Sequence, residues 1–149
     1  LATGCGQLRA LHLFGCTRVT EAGVAAVARG CTQLSSIDLG LTAAANEAAL
    51  GVLAQHCAAS LRAVGLCAAD VGDEALAAFV GACAQLQALF LPNCTRLTEV
   101  SVGALRHSCP ALRAAVLAGC SGVPLQALDA HKWPAGFHGI APDGRVVEA

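Results

Sequence analysis

Nine cysteines in 149 residues are the side chains with the most chemistry to offer. Thiolates bind zinc, attack electrophiles or pair as disulfides. Zinc needs close ligand pairs such as C-x-x-C, with four ligands converging on one ion. No such pair occurs: Cys5, Cys31, Cys57, Cys83 and Cys109 follow one another at intervals of 26 residues, which sends each thiol to a different segment. No metal or other cofactor is expected. Disulfides would imply an oxidising compartment, but an odd count cannot all pair internally, and the repeated columns stack thiols on one side. A catalytic thiol needs a histidine turned toward it. His56 directly precedes Cys57 and His107 lies two before Cys109, but both fall at expected helix ends, where a histidine suits the dipole. With no G-x-S-x-G, P-loop or paired carboxylates, no enzymatic activity is expected. The favoured reading makes the cysteines small buried residues closing turns.

The constant interval points back to the elements that hold these residues, because self-similarity at 20–50 residues marks a repeat architecture. Leu8, Leu11 and Leu13 are spaced three then two, and Leu86, Leu89 and Leu91 repeat the pattern. The period-two pair fits a short strand with one buried face. Val24 with Val27, Leu50 with Leu53, Leu76 with Phe79 and Val80, and Val102 with Leu105 have helical spacing. Thr20–Glu21, Asn46–Glu47 and Thr98–Glu99 precede these stripes as helix starts, with Gly72–Asp73–Glu74 in the third unit. Each unit therefore reads strand, loop, helix. In the third, Leu61, Val64 and Leu66 come one residue late, so Cys67 leaves the loop column of Cys16, Cys94 and Cys120 and is expected on the exposed strand face.

Composition excludes several classes. With 56% hydrophobic and 13% charged residues the chain is not disordered, and a net charge of −1 gives no footprint for nucleic acid or anionic lipid. The richest apolar stretch, Leu76 to Leu91, is broken by Gly81, Gln85 and Gln87 and stopped by Pro92, so no membrane span is expected.

The pattern C-x-x-L-x-x-L-x-L-x-x-C-x-x-[VL]-T-E, whole in residues 5–21 and 83–99, resembles the cysteine-containing subfamily of the leucine-rich-repeat family, as in F-box and leucine-rich-repeat proteins. The resemblance implies an α/β fold: a right-handed horseshoe solenoid with a parallel sheet on the concave side and helices on the convex side. Five repeats starting at the ruler cysteines would make an array over 1–128, with 129–149 as a C-terminal cap or tail. Such repeats usually serve as substrate receptors of SCF ubiquitin ligases, so the resemblance implies a cytoplasmic or nuclear protein-binding module. The alternative is an assembly scaffold without a ligase role.

Strand alternation identifies the outward residues. One column is His12, Asp38, Gly65, Phe90 and Val116; the next is Phe14, Gly40, Cys67, Pro92 and Ala118; an edge column is Arg9, Ser35, Arg62, Gln87 and Arg113. A protein partner is expected on this face, with Arg9, His12, Phe14, Asp38, Arg62, Phe90, Arg113 and Val116 as candidate contacts, since aromatic and arginine anchors dominate interfaces. Five short strands at about 4.8 Å give only roughly 300 Å², below the 800 Å² or so of a standard interface side. Further repeats of the same parent chain are expected on the N-terminal side, because Leu1–Gly4 aligns with Val27–Gly30. At the other end, residues 121–149 lose the period and hold Lys132, Trp133 and Phe137. The two aromatics would cover the last repeat's core as a cap; a loosely ordered tail, above all over Ala141–Ala149, is the alternative.

Overall fold

A computed structural model describes residues 4–129 and 133–149. Residues 1–3, read above as the end of a preceding helix, and 130–132, which include Lys132, lie outside the described residues. The chain alternates short strands and helices: β1 (Ala10–His12), α1 (Glu21–Gly30), β2 (Ser36–Asp38), α2 (Glu47–Cys57), β3 (Ala63–Gly65), α3 (Asp73–Ala82), β4 (Ala88–Phe90), α4 (Glu99–Ser108) and β5 (Ala114–Val116). A 3₁₀ turn at Leu125–Leu128 follows, then β6 (His138–Ile140) and β7 (Val146–Glu148). The strands form one seven-stranded sheet in sequence order, parallel except for the antiparallel β6–β7 pair.

Helices α1, α2 and α4 start at side-chain caps, while Gly72 opens α3 without one. Thr20 and Asn46 accept from the backbone N–H groups of Gly23 and Ala49, and Thr98 from that of Val100. The stripes behind these caps close onto the sheet, and Leu50, Leu53, Leu76, Val80, Val102 and Leu105 are all buried. The strands supply the opposite wall through Ile37, Val64, Leu89 and Ala115, in register with one another. In β1 the equivalent Leu11 is only half-buried, as are Leu13, Val19 and Val27.

The register accommodates the shift in the third unit: Ile37 pairs with Val64, 27 positions later, and Val64 with Leu89, 25 later. The extra residue is absorbed where α2 runs on to Cys57 and Ala58 remains right-handed helical. The compensating loss falls in the following loop, before Val71.

Each of β1 to β5 then leaves the sheet through a residue in the left-handed region: Gly15, Leu41, Ala68, Asn93 and Gly119. In every case its N–H donates to the neighbouring strand, from Gly15 to Gly40, Leu41 to Cys67, Ala68 to Pro92, Asn93 to Ala118 and Gly119 to Pro142. Satisfying a backbone donor at each step holds the turn even where leucine or alanine must occupy it.

The first-turn carboxylates join one unit to the next. Glu21 accepts from the amide of Asn46 at 2.6 Å, and Glu47 from the N–H of Gly72 at 3.1 Å. Asp73 accepts from the N–H and hydroxyl of Thr98 at 2.9 and 2.6 Å, and also from Ser101. The links to Asn46, Gly72 and Thr98 each span 25 residues, from one helix start to the next N-cap. The corresponding residue beyond Glu99 is Pro124, which has no N–H to donate. Arg96 adds ion pairs to Glu47 at 3.2 Å and Asp70 at 2.7 Å.

Cysteine placement follows position in the array. Cys31, Cys57, Cys83, Cys94, Cys109 and Cys120 are buried, whereas Cys5 is half-buried and Cys16 exposed. The burial expected of Cys16 thus fails at the first unit: the thiols of Cys94 and Cys120 donate to Leu66 and Leu91 carbonyls of the preceding strand, and Cys16 has no such strand before it among the described residues. Burial pushes the thiol of Cys83 up to about 12 and those of Cys94 and Cys109 to about 11.

After the last period, two aromatics pack together. Trp133 and Phe137 are buried and stack with ring centroids 4.1 Å apart. Phe137, Gly139 and Ala141 then turn inward while His138 is exposed, so β6 extends the sheet and β7 closes it as a hairpin.

Candidate functional site

The strand face opposite the helices carries an open hollow of about 490 Å³. Of the candidate contacts, it brings together His12, Phe14, Asp38 and Phe90. Phe14 and Phe90 are 55% and 43% exposed. Large aromatics held in water at this level are available for contact.

Two glycines seat the side chains around the hollow. At Gly40 a Cβ would lie 2.8 Å from the Phe14 ring and 2.9 Å from the Cβ of Cys67, so the ring lies over the glycine backbone. At Gly65 a Cβ would lie 2.6 Å from Oδ1 of Asp38. That oxygen accepts from the N–H of Gly40 at 2.9 Å, which holds the carboxylate over the empty position. Pro92 and Asn93 line the far side.

The remaining candidates lie elsewhere. Val116 is half-buried and pairs with Phe90 on one side and Ile140 on the other. Arg9, Arg62 and Arg113 follow the row at the strand starts. There each carbonyl serves two donors: Arg9 accepts from Ser35 and Ser36, Ser35 from Arg62 and Ala63, and Arg62 from Gln87 and Ala88. The guanidinium of Arg62 donates to the carbonyls of Ala59, Ser60 and Leu61 at 3.2–3.3 Å, and Arg113 to Ala135 at 3.4 Å. These two arginines tie down loops, whereas Arg9 stands exposed beside Arg62 around a separate shallow depression.

Sequence reasoning placed Gly65 and Cys67 in the outward columns, and Cys67 on the exposed strand face, but named neither as a contact, and it overlooked Ser36 and Asn93. The signal for Gly65 was its place in a column beside a carboxylate and a phenylalanine. Nothing marked Asn93, which lines the hollow from a left-handed turn.

The site offers recognition by apolar contact and one carboxylate. No hydrogen bond or ion pair joins His12, Asp38 and Cys67 among the described residues, and none of their groups with three or more metal-binding side chains could hold an ion. Among those residues no helix is long and apolar enough to cross a membrane.

No family model and no curated protein matches the sequence. Among solved structures, a similar chain occurs in the crystal structure of the Rad7 and Elc1 complex in yeast, at 17% identity and a TM-score of 0.47. The match covers 86% of this chain and 47% of that one, so this chain spans about half the length of the chain it is similar to.

Proposed function

We propose that this chain is part of a leucine-rich-repeat solenoid of the cysteine-containing kind, and that its strand face binds a protein partner without catalysing a reaction. One observation carries the reading: two phenylalanines, Phe14 and Phe90, stand exposed on either side of a glycine-floored hollow. The stacking supports it. Strands need about 4.8 Å per repeat and helices about 8–10 Å, so the array bends with the strand face concave, the surface repeat proteins commonly present to partners. The half-buried Leu11 and Leu13 support further repeats before β1, since the equivalents of Leu11 (Ile37, Val64 and Leu89) and of Leu13 (Leu39, Leu66 and Leu91) are buried. Those repeats would supply the contact area this segment lacks.

The motif in residues 5–21 and 83–99 supports the more specific reading of a substrate receptor of an SCF-type ubiquitin ligase, acting in the cytoplasm or nucleus. The test is a binding and turnover pair. Phe14→Ala and Phe90→Ala together are expected to release the bound protein, and depletion of the parent protein is expected to lengthen that protein's half-life. Retained binding removes the strand face; lost binding with an unchanged half-life leaves a scaffold.

A further inference from the structure

The hollow's composition selects one kind of side chain. Its walls are Phe14, Phe90 and Pro92, and among the described residues Asp38 is its one carboxylate and no lysine or arginine lines it. Asp38 and Phe90 stand in one row with Gly65 between them, two strand spacings apart, or about 9.6 Å. The Asp38 carboxylate leans over Gly65 toward Phe90, and the open hollow of about 490 Å³ beside it has room for one extended alkyl chain. A cation at its end would have the carboxylate on one side and the Phe90 ring on the other, and both attract positive charge. An anion would meet Asp38, and a neutral apolar group would strip water from the carboxylate without replacing it. Oδ1 of Asp38 already accepts from Gly40, while Oδ2 has no hydrogen-bond partner among the described residues. Among the described lining residues, His12 is the one side chain able to oppose a cation.

We infer that the hollow receives a lysine or arginine side chain presented by a partner protein. The inference rests on the proposed role of the strand face and names the chemistry that face reads. Specificity comes from charge at Asp38, and the aromatic walls select length and shape.

Blocked tripeptides test it on the whole chain: Ala-Arg-Ala and Ala-Lys-Ala against their neutral counterparts with citrulline and norleucine, followed by amide NMR. The charged peptides are expected to shift the Gly40, Gly65 and Phe90 signals and to bind about tenfold more tightly than the neutral ones. Asp38→Asn is expected to erase that difference while leaving the remaining spectrum in place, because its amide oxygen can still accept from Gly40. Equal affinities, a preference that survives Asp38→Asn, or no shift with any peptide in the millimolar range overturns the inference. If neutral or acidic peptides bind instead and Phe14→Ala weakens them, the cation preference falls while the strand face stands as a binding surface.

Discussion

The carboxylate of Asp38 occupies the space that a side chain at Gly65 would take, 2.6 Å from where the missing Cβ would be. A residue on one strand thus depends on the absence of an atom on the next. Gly65→Ala would push Oδ1 away and break its bond to Gly40, a loss of about 1 kcal/mol largely offset by the less flexible unfolded chain. Urea unfolding is therefore expected to change little, while partner binding falls. A large loss of stability with intact binding would show that the gap serves folding.

Asp73 marks a different kind of link. Burial works to raise its carboxyl, but donation from Ser101 and Thr98 outweighs this and holds it below the usual value of 3.8. A depressed folded value makes its stabilisation present above pH 4 and lost as pH falls further. Asp73→Asn is expected to cost about 2 kcal/mol near neutrality and to flatten the acid limb of a thermal-melt series. An unchanged acid limb would deny the link between α3 and α4.

Ala68 and Leu41 adopt φ values of 53° and 56°, a conformation that costs non-glycine residues about 1–2 kcal/mol. Ala68→Gly is expected to raise the unfolding free energy, by less than about 1 kcal/mol once glycine's greater unfolded entropy is counted. Chemical denaturation measures it, and destabilisation would mean that the alanine methyl contributes packing that outweighs the strain.

The thiols should divide into two sets. Cys5, Cys16 and Cys67 are expected to react with a thiol reagent in the native state, and the six buried cysteines only after unfolding. In alkali the unfolded thiols ionise near their ordinary value of 9.0 while Cys83, Cys94 and Cys109 stay protonated to about 11 or 12. The native state then holds more protons, so stability falls as pH rises from 9. A variant with alanine at these three positions should show a shallower fall in melting temperature; an equal one would exclude them as its cause.

The repeat was legible because its determinants are local. A cap, a carboxylate and a leucine stripe recur within each unit, so helix starts at Glu21, Glu47, Asp73 and Glu99 could be read from Thr20, Asn46, Gly72 and Thr98. The shift at Val64 was also visible, since strand leucines keep their own spacing. What escaped depends on neighbouring units. Alternation turns Arg62 outward but cannot say that its guanidinium folds back onto three carbonyls, and Asp38 acquires its place only from Gly65 on the next strand. The strand at His138–Ile140 lacked the repeat motif, though Phe137, Gly139 and Ala141 alternate with His138 and Ile140 in the way the sheet requires.

The partner's seat on the strand face is tested most directly by photo-crosslinking from two positions on the chain. A benzophenone side chain replaces Phe90 on the strand face in one sample and Val100, 61% exposed on α4, in the other. The strand-face reading predicts that a partner is captured from position 90 and not from position 100, with capture lost in Phe14→Ala. Capture from position 100 alone would place binding on the helices and contradict it.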